Sequence, residues 1–277
     1  MPLVRASHGN PTMPSASRTI RRVFAATIVV GGLAIAWRSV DTAAIAGALA
    51  RARVGYVALA FVFAGVARTW IRVERTRAQL GERIPVRALL ELHLAGYAVG
   101  ILPGPSEEVF CCTRLARSYG ISPRELVRFQ VVDKTLAAVS VLVTACLLLP
   151  PVFAVVLTLA AVAIAAAISR STCALLLWLL GSNVLVIATI AACCLAAGQS
   201  PAIALEIFLA ISLTGIVTVV PGQVGTLESS FAVVAAHHGG SPALAIAAAV
   251  IYRIAYAPTV IAGAPLLGRG CEPVTSR

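Results

Sequence analysis

Charged side chains are scarce in this sequence. Asp, Glu, Lys and Arg together make up 12% of the 277 residues, and apolar residues make up 59%. Soluble domains usually carry about 25% charge. Long stretches have no charged residue, namely 135–169, 171–205, 207–227 and 229–252. Because a transmembrane helix needs about 20 apolar residues, we predict an all-α integral membrane protein with little room for a soluble domain.

The sequence also lacks the short motifs of common enzyme classes. It has no P-loop, dinucleotide fingerprint, nucleophile elbow or HExxH. The seven cysteines contain no CxxC, and we interpret them as small apolar residues. His237 and His238 have no nearby Cys or acidic companions with metal-ligand spacing. We therefore expect no enzymatic activity, no cofactor and no metal.

The basic residues are spread along the chain. A net charge of +11 would indicate nucleic-acid binding in a soluble protein. Here no basic stretch is interleaved with aromatics. We attribute the charge to membrane orientation and to contact with anionic lipid headgroups, and we expect no nucleic-acid partner.

The apolar segments predict a single transmembrane domain over 20–268. A disordered N-terminus, 1–19, precedes it, and a short tail, 269–277, follows. Six full spans are predicted at about 22–38, 54–72, 128–149, 152–169, 173–197 and 243–267. Two further apolar segments, 88–128 and 202–240, are interrupted at Pro-Gly and are interpreted as re-entrant helix pairs. The Lys and Arg distribution predicts a multi-pass protein of the inner (cytoplasmic) membrane, with both termini and the 72–88 region cytoplasmic.

Two stretches, 102–134 and 220–253, repeat one pattern. In each, a Pro-Gly pair breaks an apolar run, and a glutamate follows within seven residues. A Ser-Pro comes about 20 residues after the first proline, and a cation lies 11 residues after that second proline. The helix-break residues are Pro103, Gly104, Pro221, Gly222 and Gly225. We predict an inverted-topology repeat, about 54–149 and 173–267, which is typical of alternating-access transporters.

The ionisable residues of the two stretches form the candidate headgroup site. They are Glu107, Glu108, Asp133, Lys134, Glu228 and Arg253. An isolated charge at the bilayer centre costs at least about 2.5–3.5 kcal/mol on insertion scales, so the acids need partners, and Lys134 and Arg253 are available. Two interpretations stay open. Glu228 and Arg253 form a structural ion pair, or the residues line a polar chamber between the hairpins where lipid phosphate competes for the cations.

The two motifs resemble the transmembrane-region family named after lysylphosphatidylglycerol synthase. That family shows Pro-Gly…Gly-Glu, a Gly-[Ile/Val]-Ser turn and an acidic–basic pair, followed by Pro-Gly-x-x-Gly-x-x-Glu and an in-membrane Arg. The matching residues are Pro103-Gly104, Glu108, Gly120-Ile121-Ser122 and Asp133-Lys134, then Pro221-Gly222, Gly225, Glu228 and Arg253. The first copy departs from the pattern at Glu107, Cys111 and Ala137, where the family commonly has Gly, Arg and Asp. The similarity covers about 54–267.

The resemblance implies a role in moving or handling lipids. In bifunctional members of the family, this domain translocates an aminoacylated phospholipid made by a separate soluble domain. The present sequence ends soon after its last predicted span, so we expect another protein to supply the lipid. The leading hypothesis is a translocase for a phospholipid or a polyprenyl or glycolipid substrate. The alternatives are a non-transporting partner of a glycosyltransferase or lipid-modifying enzyme, and an intramembrane enzyme; a homodimer is a candidate assembly.

Overall fold

The computed structural model describes residues 42–100, 106–217 and 225–267, and the regular elements in these ranges are helices. They are α1 (Thr42–Ala50), α2 (Val54–Phe61), α3 (Arg68–Leu80), α4 (Val86–Val99), α5 (Ser106–Tyr119), α6 (Pro123–Ala145), α7 (Pro151–Ile168), α8 (Arg170–Ala197), α9 (Ala204–Val217), α10 (Thr226–His237) and α11 (Pro242–Gly263). A π-helical turn, Val62–Ala67, joins α2 to α3. Short 3₁₀ turns follow α3, α6 and α11 and precede α9.

Five helical segments in the described ranges are long and apolar enough to cross a membrane. They are Val54–Arg83, Pro123–Leu148, Pro151–Ile168, Arg170–Ala197 and Pro242–Leu266. Each coincides with a predicted span, which confirms the prediction of an all-α membrane protein. The remaining predicted span, 22–38, and the predicted N-terminal and C-terminal tails lie outside the described residues.

The first of these segments differs from its prediction. The expected span 54–72 was to end at a cytoplasmic segment, 72–88. Instead, the helical segment runs over 30 residues from Val54 to Arg83, and it includes a π-helical turn at Val62–Ala67 and a 3₁₀ turn after Leu80. The reason is local, because the arginines of α3 alternate with buried Ile71, Val73 and Thr76 in a regular helical pattern.

Helix α8 is the centre of the bundle. It contacts α2, α3, α6, α7, α9 and α11. Its sequence is apolar on all sides, and Arg170 is the sole Lys or Arg among its 28 residues, which is the composition of a helix surrounded by other helices. Asn183, near its middle, donates to Ser140 Oγ at 3.2 Å and Thr144 Oγ1 at 3.0 Å on α6. These hydrogen bonds tie α6 to α8 inside the apolar bundle.

Helices α4–α6 and α9–α11 have the same local plan. In each set a first helix of 14 residues is followed by a second helix of 14 or 12 residues, and a Ser-Pro then begins a long third helix. The hydroxyls of Ser122 and Ser241 cap α6 and α11 by accepting from the backbone N–H of Glu125 and Leu244, at 3.2 Å and 3.5 Å. Proline at the first helical position loses no hydrogen bond there. The Ser-Pro elements of the two sequence motifs are therefore helix starts.

The segments between the first and second helix of each set, 101–105 and 218–224, are outside the described residues. Pro103, Gly104, Pro221 and Gly222 lie there. Gly225, the remaining helix-break residue, immediately precedes α10 and has φ of +85°, which glycine adopts without a steric penalty. Re-entry into the bilayer and inverted orientation of the two sets stay predictions.

Candidate functional site

Helix α3 carries three arginines on one face. Arg68, Arg72 and Arg75 are spaced by four and three residues, so their side chains project from the same side. Arg72 forms an ion pair with Glu107 in the first turn of α5, and the two side chains are 22% and 24% exposed. Arg75 forms an ion pair with Asp133 on α6, and these side chains are 15% and 16% exposed. Helix α3 is thus bound to both neighbouring helices through half-buried charges.

A third ion pair completes the group. Lys134 Nζ lies 2.6 Å from Glu108 Oε1, and the lysine side chain is 61% exposed. Glu107 and Glu108 thus bind cations from different helices, α3 and α6. Acids and cations alternate around the group, so each charge has an opposite charge beside it, as buried ionised groups require.

Two glycines, Gly96 on α4 and Gly100 directly after its last residue, make room for this arrangement. A Cβ added to Gly96 would lie 3.2 Å from Glu107 Cγ and 3.1 Å from Cys111 Sγ. A Cβ added to Gly100 would lie 3.3 Å from Glu107 Oε2. These approaches are tighter than ordinary van der Waals contact, so the glycine face of α4 is the surface on which Glu107 packs.

The six charged side chains border a cavity of about 220 Å³ between α3, α4, α5 and α6. His93 and Gln130 add neutral polar groups to its wall, and Leu92 and Phe129 add apolar surface. His93 Nε2 lies 3.0 Å from Thr76 Oγ1, which holds the imidazole against α3. The described residues that line this cavity all come from the first half of the molecule. The chamber predicted between the two hairpins, whose tips lie outside the described residues, stays a prediction.

The second half contains a simpler arrangement. Arg253 on α11 donates from Nε to Glu228 Oε1 at 2.6 Å and from Nη2 to Glu228 Oε2 at 3.2 Å. Glu228 Oε2 also accepts from the backbone N–H of Gly225 at 2.8 Å. The carboxylate therefore caps the first turn of α10 and joins it to α11 by a two-pronged contact. This is the structural ion pair that the sequence left open as one interpretation.

The two motifs make equivalent contacts. In each, a glutamate in the first turn of the second helix, α5 or α10, binds a cation on the third helix, α6 or α11. That cation lies 11 residues beyond the proline that starts the third helix. The pairs are Glu108 with Lys134 and Glu228 with Arg253. The repeated spacing in the sequence thus corresponds to a repeated contact.

Tyrosines connect the two halves. The Arg72 guanidinium lies 4.5 Å from the centre of the Tyr97 ring, a cation–π contact. Arg68 donates to the Tyr256 hydroxyl. The Tyr97 and Tyr256 rings are 6.4 Å apart, and Tyr252 lies 5.0 Å from Tyr256. A row of arginine and tyrosine side chains therefore leads from the cavity to α11.

Sequence reasoning identified the acids and two of their four partners, Lys134 and Arg253. It assigned Arg72 and Arg75 to a cytoplasmic flank and gave them no partner, whereas the structure pairs Arg72 with Glu107 and Arg75 with Asp133. Asp133 pairs with Arg75 and not with the adjacent Lys134. The available signal was the spacing of the arginines on one helical face, next to apolar Ile71 and Val73.

The histidines outside the cavity form no metal site in the described ranges. His238, directly after α10, has its Nε2 atom 2.9 Å from Oε2 of Glu206 on α9, and both side chains are partly exposed. No group of three His, Cys, Asp or Glu side chains suited to a metal ion occurs in the part of the chain that the structure describes.

Comparison with known proteins identifies the family of this chain. Neither a curated protein nor a solved structure matches the chain. A family model, described as lysylphosphatidylglycerol synthase TM region, matches residues 22–191, which include α1–α7, most of α8 and the whole charged cavity. The chain is therefore a multi-pass membrane protein that belongs to the lysylphosphatidylglycerol synthase transmembrane-region family.

Proposed function

We propose that the protein is a lipid translocase, which moves a phospholipid or a lipid-linked headgroup across the cytoplasmic membrane. The observation that carries this proposal is the charged cavity of about 220 Å³, two of whose walls, α3 and α6, belong to segments long enough to span a bilayer. Ionised residues inside membrane domains are costly and are kept where they line a pathway or a site. Membership of the family adds a lipid-related role to this physical argument.

The charges of the cavity suit exchange of partners. Arg72, Arg75 and Lys134 each bind a carboxylate in the structure. A phosphate oxygen that enters the cavity replaces such a carboxylate, because arginine and lysine donate to both in the same way. The released carboxylate then accepts from the ammonium of a headgroup that carries one. For such a headgroup the phosphate and the carboxylate each have a cation beside them after exchange, so entry leaves no uncompensated charge.

The same assignment gives the second half a supporting role. Glu228 and Arg253 hold α10 against α11, and α11 packs on α4, one wall of the cavity. A rigid-body shift of one half against the other, with this pair intact, opens the cavity to alternate sides of the membrane. Arg253 would meet phosphate only if Glu228 released it.

Translocation of a fluorescent phospholipid in proteoliposomes tests the proposal. Wild-type protein should carry the lipid between leaflets faster than protein-free vesicles do. The double variant Arg72→Gln/Glu107→Gln should lose most of this rate, since it removes both charges and leaves neither unpaired. The double variant Arg83→Gln/Glu125→Gln is the matched control, because it removes an exposed pair, 3.3 Å apart, by the same substitutions. Equal rates in the cavity variant and the wild type would refute the proposal.

A second candidate is a non-transporting partner of a glycosyltransferase or lipid-modifying enzyme, acting as no enzyme itself. It is favoured by the closed ion pairs, which also suit a rigid scaffold. The same assay separates the two, since a scaffold binds lipid and leaves the rate at that of empty vesicles.

A further inference from the structure

Arg68 on α3 is a partly buried cation that takes part in no ion pair with a described carboxylate. Each carboxylate in the described ranges lies within salt-bridge distance of an Arg, Lys or His side chain. None of these pairs includes Arg68. The remaining acids of the sequence, Asp41 and Glu272, fall outside the described ranges. Among the described residues, Arg68 is therefore a cation in the middle of a long apolar helix without a carboxylate.

The surroundings of Arg68 are polar but neutral. It donates from Nη1 to the Tyr256 hydroxyl, and its guanidinium carbon lies 5.7 Å from the centre of that ring. Its Nε is buried and has no hydrogen-bond partner among the described residues, and the same holds for the nearby Tyr97 hydroxyl. A guanidinium N–H and a phenolic O–H both donate to an anion. Arg68, Tyr97 and Tyr256 thus form a cluster with one positive charge and two donors, Arg68 Nε and the Tyr97 hydroxyl, that have no partner among the described residues.

An apolar groove lies beside this cluster. Its volume is about 380 Å³, and its walls come from α2 with the π-helical turn, α3, α4 and α11. The main apolar side chains are Phe61, Val66, Trp70, Leu90, Leu94 and Pro258. Pockets that bind small molecules measure about 300–1,000 Å³ and are mostly apolar, so the groove is large enough to hold part of an acyl chain.

The cluster and the groove share three helices. Gly65, which lines the groove, and Arg68 both face α11, since a Cβ added to Gly65 would lie 3.0 Å from Thr259 Oγ1 and Arg68 donates to the Tyr256 hydroxyl. On α4, Tyr97 follows Leu94 by three residues. On α11, Tyr256 precedes Thr259 by three residues. Residues three apart lie side by side on a helix. The polar and apolar sites therefore occupy adjacent strips of the same three helices.

We propose that Arg68 binds the phosphate of a phospholipid whose acyl chain occupies this groove. The inference rests on the proposed function and names its substrate class. A phosphodiester supplies the negative charge that Arg68 lacks and accepts from Arg68 Nε and the Tyr97 hydroxyl. A free phosphate would satisfy the cation equally and leave the groove empty, so the groove favours a phospholipid over an inorganic anion.

Native mass spectrometry of the detergent-purified protein tests the charge requirement. The probes are palmitoyl-oleoyl phosphatidylglycerol and the diacylglycerol with the same chains. Wild-type protein should bind the phospholipid at least about tenfold more tightly, which is the effect of about one charge-assisted hydrogen bond. Equal binding of the two probes overturns the proposal without any variant.

Variants locate the site. Arg68→Gln should weaken phosphatidylglycerol binding by about tenfold, and Arg128→Gln, on an exposed position of α6, should leave it unchanged. Ala262→Phe should fill the groove and weaken the long-chain lipid, while glycerophosphoglycerol, which has no chains, binds as before. Ala257→Phe, exposed on α11 and outside the groove, is its control. Unchanged lipid binding in folded Arg68→Gln, or chain-independent binding in the wild type, contradicts the proposal.

The two proposals fail in different ways. If phosphatidylglycerol binds through Arg68 but proteoliposomes show no translocation, the binding site stands and the translocase function falls. If lipid is translocated and Arg68→Gln binds it normally, the function stands and this site falls. A melting curve for each variant distinguishes loss of binding from loss of fold.

Discussion

Each half of the molecule contains an equivalent ion pair, and the two pairs differ in their surroundings. In the first half, Glu108 and Lys134 lie at the edge of a cavity that holds two further pairs from α3. In the second half, Glu228 and Arg253 adjoin helices whose buried faces are apolar and include Ala247, Ile251 and Phe231. The equivalent contact is therefore more exposed in the first half than in the second.

The helix before each set accounts for this difference. Helix α3 brings Arg68, Arg72 and Arg75 to the first set. Helix α8, which precedes the second set, has buried Ile190, Cys193 and similar residues along its length, and its sole Lys or Arg is at its first residue. The two sets thus retain one equivalent contact, while α3 surrounds the contact of the first set with further charged side chains.

The largest stability effect is expected in the first half. Glu107→Gln leaves the Arg72 guanidinium, 22% exposed, without its carboxylate. Removing one partner of a buried pair costs about 3–5 kcal/mol, and we expect about 3 kcal/mol in the free energy of unfolding in mixed detergent micelles. Adding Arg72→Gln should restore most of it, since neither charge is then left alone. A loss below about 1 kcal/mol would show that Arg72 already meets water.

The repeat itself provides the next comparison. Glu228→Gln should cost about 2 kcal/mol, because it breaks a two-pronged contact with Arg253 and weakens the cap of α10. Glu108→Gln should cost about 0.5 kcal/mol, since its partner Lys134 is 61% exposed and solvent screens the pair. Denaturation of both variants in the same micelles measures the difference. Equal losses would mean that the two equivalent pairs lie in similar surroundings.

A smaller effect is expected at the α6–α8 contact. Asn183→Leu removes two hydrogen bonds, to Ser140 and Thr144, from a buried position. Hydrogen bonds between membrane helices average about 0.6 kcal/mol and reach about 1.7 kcal/mol, so we expect a loss of about 1 kcal/mol. Ser171→Ala, at an exposed position on the same helix, is the control. A stabilised Asn183→Leu protein would show that this contact is apolar packing with an incidental polar group.

The smallest effect is expected at the exposed pair of the first half. Arg83 and Glu125 are 73% and 40% exposed, and such pairs contribute about 0–1 kcal/mol. Arg83→Gln should therefore change the free energy of unfolding by less than about 0.5 kcal/mol. A larger loss in the same denaturation experiment would show that this pair is shielded from water.

Features that depend on local chemistry can be predicted from the sequence. The Ser-Pro helix starts at Ser122 and Ser241 follow from capping and from the backbone of proline. The pairing of Glu228 with Arg253 was one of the two interpretations that the cost of a lone charge in an apolar span left open. Five predicted spans followed from the length of the apolar segments.

The partners of Glu107 and Asp133 were beyond such reasoning. Arg72 and Arg75 lie 35 and 58 residues from these acids in the sequence, and their position relative to α5 and α6 depends on how the helices pack. Arginines near the end of an apolar run also suit a cytoplasmic flank. Their pairing with Glu107 and Asp133 depends on α3 continuing past Arg72 to Leu80, and a count of charges does not detect this.

Labelling of a cysteine placed in the cavity tests the central claim most directly. Ala137 lines the cavity on α6, whereas the native Cys193 and Cys194 are buried in the second half. In proteoliposomes that contain the Ala137→Cys protein, a small water-soluble thiol reagent should modify position 137 and leave Cys193 and Cys194 unmodified, as read by peptide mass spectrometry. Modification of 137 as slow as that of Cys193 would contradict a wet headgroup site in the first half.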